Sequence, residues 1–428
     1  MHEVATYFED FLSEISPTDQ QCDEMDAAHR AVINHLRENK LLKYVWVKSF
    51  VQGSYRRDTG LIGSSKHPCD IDVVVVTKLP DVLVPGFALE LFNTPIESFC
   101  AEQNANPSTK MCHKLQGRSW GITVSPEINL DIVPTSSVEE SWTVPLVDDQ
   151  HTGVKFASED AAGGRSMLAL MEENFSFRGA RAQARRIMEG YSPGAPAHLP
   201  AAAQQIRAFL KNQARAAEAK TAGVATSTTA GGTPVAGALR IPDHNSEKWV
   251  ATHPLGQIAW TTEKNERCNG HFTKVVRSLK WWKRECLSDC EKPKGYPLER
   301  LIADCCPDDI KSVAEGVAKT LAEIIRKYGA EIDQGICPKI ADHGTTADVW
   351  KRIEVGDWRK FLTHVRKAHE IAQRAINATE TRDAVEHWHE LFGDKFPEPP
   401  KKSPVSPAVP TRFSGADNAK NPTPKTYA

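Results

Sequence analysis

Apolar residues recur at helical spacing over residues 4–15 (VATYFEDFLSEI), which predicts a short amphipathic helix. Ser16-Pro17-Thr18 breaks it. Thr18 followed by Gln21 is the signature of a capping box, so a helix of about twenty residues should begin there and run to Asn39. Val45–Gln52 reads as a strand leading into Gly53-Ser54. The unbroken run in Asp70–Thr77 (DIDVVVVT) suits a strand buried on both faces. Glu127–Val133 alternates instead, with Ile128, Leu130 and Ile132 on one side and Glu127, Asn129 and Asp131 on the other. Residues 135–165 show no period, and helical patterns return over 166–218. Residues 221–238 are low-complexity Ala, Gly and Thr, expected as a disordered loop. From about 255 to 392 helical periodicity dominates. From Phe396 onward, Pro, Ser and Lys replace any core-forming pattern and predict a flexible tail. This order predicts an α/β core against a helical second lobe, with the active site in the cleft between them. The expected divisions are a core with its long N-terminal helix at 1–150, a variable insertion at 151–240, a helical lobe at 241–395 and a tail at 396–428.

Composition narrows the picture. The 428 residues are 40% hydrophobic, enough for two or three domains or one two-lobed enzyme. A formal charge of -2 argues against stable coating of long nucleic acid, yet leaves room for small anionic substrates held by a local basic patch. No apolar run approaches the roughly 18 residues of a membrane helix, and the acidic N-terminus is not an export signal, so a cytoplasmic location is expected. Ten cysteines without framework spacing fit reduced thiols. Cys268, Cys286, Cys290, Cys305 and Cys306 lack C-x-x-C spacing, and packing is the expected role rather than zinc. At least one of Trp281 and Trp282 should be core rather than a platform for a base.

Candidate chemistry gathers on three aspartates. Asp70 and Asp72 lie two apart on a strand, so their carboxylates share a face about 6.5–7 Å apart. Asp131 lies on the polar side of a second strand. If the strands are neighbours, three hard oxygen donors converge, suiting two Mg²⁺ (or Mn²⁺) ions bound together with substrate phosphates. Gly53 and Ser54 form a turn able to offer backbone N–H groups and a hydroxyl to phosphate, with Arg56 and Arg57 directly after.

Each feature alone is weak. Their order (Gly-Ser, then D-x-D into an apolar strand, then a later h-D-h strand) resembles the polymerase-β-like nucleotidyltransferase superfamily. FVQGSYRRDTG…CDIDVVVVTKLP is similar to the active-site segment of the bacterial cGAS/DncV-like nucleotidyltransferases (CD-NTases). THPLGQIAWTTEKNERCNGHFTKVVRSLKWWKRE…PKGYPLERLI and WHELFGDKFPEP resemble the helical lobe of their clade D. The likeness spans roughly residues 5–140 and 240–400. It implies a mixed-sheet nucleotidyltransferase core packed on a helical lobe. It also implies template-independent synthesis of an adenosine-rich cyclic trinucleotide from ATP, with or without GTP, as a messenger in anti-phage defence. By the same resemblance, Asp70, Asp72 and Asp131 are the catalytic metal ligands. Gly53, Ser54, Arg56, Thr59, Lys280, Gly295 and Tyr296 fall at nucleotide-binding positions. Gly295 stands where related enzymes carry a serine, and Asp58 stands where a small residue is expected, which places an extra carboxylate beside the phosphate turn or in solvent. The resemblance further implies that an operon partner of ubiquitin-transfer type acts on the tail ending at Ala428. Two other readings remain open at this point: nucleotide addition to an RNA end or a protein, and an inactive nucleotide sensor that keeps the fold.

Overall fold

A computed structural model describes residues 2–39, 42–77, 79, 85–137 and 239–401. The expected helices at 166–218, the low-complexity segment 221–238 and the tail from residue 402 to Ala428 lie outside the described residues.

The first two helices form as the pattern predicts. Helix α1 spans His2–Ile15 and α2 spans Asp19–Glu38. Thr18 Oγ1 accepts the Gln21 N–H at 3.1 Å, while the Gln21 side chain accepts the Thr18 N–H at 3.3 Å, which completes the capping box. A short turn α3 (Leu42–Val45) leads to β1 (Trp46–Gln52), then the single-turn helix α4 (Gly53–Arg56) and β2 (Cys69–Thr77). Helix α5 (Pro85–Gln103), the hairpin β3 (Cys112–Leu115) and β4 (Trp120–Ser125), and β5 (Ile128–Ser137) follow. Strand β6 (Leu239–Asp243) and β7 (Lys248–Thr252) complete one sheet.

The sheet order is β1-β2-β5-β4-β3, with β6 joined to the far end of β5 and β7 to β6. Only β2 and β5 run parallel; the other pairings are antiparallel. The valine run of β2 is buried on both faces. Ile71, Val73 and Val75 pack with α2 and α5, whereas Val74 and Val76 join Leu239, Val47 and Phe50 on the opposite face. Asp70 and Asp72 share the parity of Val74 and Val76 but sit where that face opens to solvent.

Strand β5 continues to Ser137, past the point where the pattern suggested irregular chain. Thr77 Oγ1 donates to the Thr135 carbonyl at 2.6 Å, and Thr135 Oγ1 donates to the Val75 carbonyl at 3.2 Å. Threonine hydroxyls thus replace apolar contacts, which hides the strand from a hydrophobicity pattern. The chain leaves the sheet at Ser137 and returns beside it, with Leu239 paired to Ser137. Because closure entropy grows only logarithmically with length, a long connection between these ends costs little more than one half as long.

The second lobe is helical: α6 (Pro254–Arg267), α7 (Phe272–Trp281) with a π-helical extension Trp282–Cys286, α8 (Tyr296–Cys305), α9 (Val313–Asp333), α10 (Val355–Asn377) and α11 (Thr381–Phe392). Its core contains Trp281, Trp282, Cys268, Cys290, Cys305 and Cys306, so both tryptophans and these cysteines are packing residues; Cys286 is exposed. Helix α1 buries Phe8, Phe11, Leu12 and Ile15 in this helical core, although it precedes the sheet in sequence. Phe396, expected to open a flexible tail, is fully buried, with its ring 5.2 Å from Phe8 and 5.3 Å from Phe11. The segment is also tied by Lys395 Nζ, which donates to Glu14 Oε2 at 2.9 Å, and by the Phe396 N–H, which donates to the Gly393 carbonyl at 2.9 Å.

Candidate active site

A cleft of about 1290 Å³ opens beside β2 and β5 and is lined from both the sheet and the helical lobe. Asp72 and Asp131 are direct neighbours across the parallel β2–β5 ladder, and Asp70 is paired with Asn129. All three aspartates line the cleft. Asp70 is exposed; Asp72 and Asp131 are half-buried.

Their ionisation records the strain of this crowding. Burial first, then the charges of Asp72 and Asp70, push Asp131 up to about 7. Burial and Asp70 push Asp72 up to about 6; Asp70, though exposed at the cleft rim, is also raised because the cleft wall removes part of its water. Amides steady two of them: Asn129 Nδ2 donates to Asp70 Oδ1 at 3.3 Å and Gln116 Nε2 donates to Asp131 Oδ1 at 3.0 Å. Among the described residues no group of three or more His, Cys, Asp or Glu side chains is already arranged to hold a metal ion. The donor set nevertheless fits hard divalent cations. It supplies carboxylate oxygens only, they repel one another without a cation, and an open site leaves coordination positions for phosphate oxygens.

Gly53 explains itself through Asp72. Its φ is +75°, and a Cβ there would lie 1.8 Å from Asp72 Oδ2. Any larger residue would displace the carboxylate, so the turn and the aspartate are one unit. Ser54 also lines the cleft. Arg56 and Thr59 are not among the lining residues. Thr59 is buried, and its hydroxyl donates to the Ser54 carbonyl at 3.3 Å, closing the turn rather than facing a ligand. Arg57, and not Arg56, lines the cleft.

Arg57 leads to a residue the sequence reading missed. Its Nε and Nη2 donate to Glu299 Oε2 at 3.1 and 3.0 Å, and Lys280 Nζ donates to Glu299 Oε1 at 2.7 Å and to the Thr59 carbonyl at 2.8 Å. Burial would raise Glu299, but Arg57 and Lys280 outweigh it and hold the carboxyl down to about 2. This buried triad ties the Gly-Ser turn to α7 and α8. Glu299 lies three residues beyond Tyr296 in YPLE, one turn along α8, and that spacing was the only hint. Tyr296 lines the cleft beneath Arg57, whose guanidinium lies 5.0 Å from the ring centroid; its hydroxyl donates to Asp342 Oδ1 at 2.6 Å. Gly295, with φ +60°, opens α8 at the cleft, and a Cβ there would meet nothing within 4 Å. Lys283 and Arg284 line the cleft from the π-helical turn and were also missed.

Asp58 does not crowd the site. It adopts φ +55°, a conformation that favours Gly, Asn or Asp, and its carboxylate accepts from Thr273 Oγ1 at 3.3 Å on α7. The position demands left-handed backbone, and aspartate satisfies it.

A mixed sheet with paired acidic strands beside a phosphate-type turn, closed by a helical lobe, is the architecture of a nucleotidyltransferase. Comparison with known proteins agrees. Residues 1–159 match the Second Messenger Oligonucleotide or Dinucleotide Synthetase domain. The chain is 31% identical over 400 residues to the cyclic AMP-AMP-GMP synthase of Enterobacter hormaechei subsp. hoffmannii, covering 93% of each. It is 24% identical over 396 residues to the cyclic AMP-AMP-AMP synthase of an Acinetobacter species, covering 91% of this chain and 84% of the relative. The solved structure of CdnG from Bradyrhizobium diazoefficiens in complex with GTP shares the fold, with a TM-score of 0.57 at 11% identity over 91% of this chain and 95% of that one. The chain belongs to the CD-NTases, the nucleotidyltransferases that build cyclic oligonucleotides from nucleoside triphosphates. Among the described residues no helix is long and apolar enough to cross a membrane.

Proposed function

We propose that this enzyme links ATP, alone or with GTP, into an adenosine-rich cyclic trinucleotide, and that Asp70, Asp72 and Asp131 hold the two divalent cations of the reaction. The observation that carries the metal assignment is the in-register pairing of Asp72 with Asp131, with Asp70 on the same face and Gly53 packed against Asp72. Mg²⁺ or Mn²⁺ bound there would neutralise phosphate charge and make the attacking hydroxyl more acidic. Gly53 and Ser54 offer the donor phosphates a turn without steric obstruction. Lys280, fixed by Glu299, presents an ammonium to the same phosphates from the opposite lobe, and Arg57 sets the floor of the cleft through Glu299 and Tyr296. Orientation of the acceptor sugar falls to the residues that close the cleft over it. A trinucleotide product is supported by the names of the two curated relatives and by the resemblance to clade D. The tail ending at Ala428 as the target of a regulatory partner rests on that resemblance alone.

Incubation with labelled ATP and GTP plus Mg²⁺ or Mn²⁺ tests the reading. A phosphatase-resistant product with the mass of a cyclic trinucleotide is expected. Linear ladders would make the protein a polymerase, and absence of turnover under every metal and nucleotide condition would make it a sensor.

A further inference from the structure

Gln116 is the first residue of the tight turn between β3 and β4, and its N–H donates to the Ser119 carbonyl at 2.8 Å. The turn is pinned from outside: the Gly117 carbonyl accepts the His244 N–H at 2.8 Å, and Arg118 Nε donates to Asp243 Oδ2 at 2.9 Å. Ser119 Oγ donates to Gln116 Oε1 at 3.1 Å, and Gln116 Nε2 donates to Asp131 Oδ1 at 3.0 Å. The orientation of the amide suits the cation-bound state, in which the Asp131 carboxylate is ionised and only accepts. Gly121 supplies the space. It faces Asp131 across the β4–β5 ladder, and a Cβ there would lie 2.4 Å from Gln116 Nε2. Three separate features, a hydroxyl, a pinned turn and a glycine slot, thus converge on laying one amide against one oxygen of one aspartate.

We infer that Gln116 is the positioning residue for Asp131: by engaging Oδ1 it fixes the carboxylate so that Oδ2 serves the cation and the acceptor hydroxyl. The inference rests on the triad reading of the site and assigns a role to a residue outside the triad. Carboxylates that bind metals are oriented by such partners, whose loss weakens metal affinity or activity by roughly 10–100-fold. Gln116 itself touches neither phosphate nor metal in this role.

Two variants reach the same amide by different routes. Gln116→Met removes the donor at similar volume. Gly121→Ala leaves Gln116 in place and drives its amide out of the slot; because the new Cβ would also lie 3.2 Å from Asp131 Oδ1, it corroborates Gln116→Met and does not replace it. Mn²⁺ binding to the protein alone, read as loss of the free-ion signal by electron paramagnetic resonance, should weaken about tenfold in each. The double variant should be no worse than the poorer single one. In turnover, kcat should fall at limiting Mg²⁺ and recover partly at high Mg²⁺, while KM for ATP changes little. Unchanged Mn²⁺ affinity in folded Gln116→Met, alongside weakened binding in Asp131→Asn, overturns the positioning role and leaves the triad standing. Unchanged Mn²⁺ affinity in Asp131→Asn overturns both.

Discussion

Replacing Asp131 by Asn should inactivate the enzyme and yet stabilise it when metal is withheld. In the folded chain burial and two neighbouring carboxylates carry Asp131 from 3.8 to about 7. At 1.36 kcal/mol for each tenfold change in proton affinity, that corresponds to about 4 kcal/mol of unfavourable charge in the folded state above neutrality. Water in the open cleft screens part of it, so about 2 kcal/mol is the realistic gain from a neutral isostere. Asn also keeps an acceptor for Gln116 Nε2. For a lobe of this size the gain amounts to a rise in Tm on the order of 5 °C. The sign of the pH dependence follows from linkage. Between about pH 4 and pH 7 the folded state binds more protons at this site than the unfolded state, so wild-type stability falls as pH rises through that window. The advantage of Asp131→Asn should therefore be greatest at pH 8 and shrink towards pH 5. Differential scanning fluorimetry with a chelator at both pH values measures it. Adding Mn²⁺ should stabilise the wild type and close the gap. A variant no more stable than wild type at pH 8 in chelator would refute the reasoning.

The other expectations concern the scaffold around the triad. Glu299→Ala leaves Arg57 and Lys280 without their shared carboxylate and should cost about 3–5 kcal/mol in chemical denaturation, whereas replacing Arg57, Lys280 and Glu299 together by Met should recover most of that stability without recovering activity. Because Glu299 is held down to about 2 in the folded chain, its contribution is present above its ordinary value of 4.5 and is lost as pH falls from there towards 2, so Glu299→Gln should flatten the acid limb of the unfolding profile. Gly53→Ala drives a methyl into Asp72 and should lower kcat by about a hundredfold or more, with a smaller loss in Tm, since a small misplacement of reacting groups is enough. Phe396→Ala should cost about 3–5 kcal/mol in unfolding measurements.

The elements that position the site were legible where the local pattern and the tertiary environment agree. Thr18 and Gln21 announce α2 because a capping box is satisfied within four residues. The β2 valines announce a central strand because both their faces are covered. The parity of Asp131 was readable because Ile128, Leu130 and Ile132 mark the opposite face. What remained hidden depends on contacts distant in sequence. Strand β5 beyond Val133 is held by threonine hydroxyls, and Phe396 is ordered by rings from α1, almost four hundred residues earlier. Arg57 and Glu299 meet across 242 positions, and neither type of residue signals burial. The choice of Arg56 over Arg57 turned on side-chain direction in a single-turn helix, which sequence spacing does not encode. Gln116 belongs to a turn with no hydrophobic period, and its role emerges only when β4 and β5 are paired.

Product formation by wild type and by Asp70→Asn with Asp72→Asn, each supplied with ATP, GTP and Mn²⁺ and followed by mass spectrometry after phosphatase treatment, bears most directly on the assignment of metal ligands. The wild type should yield a resistant cyclic product, and the double variant should yield none while retaining a folded, at least equally stable chain in chelator. Cyclic product from the double variant at a rate near wild type would contradict the assignment of these aspartates to the metal ions.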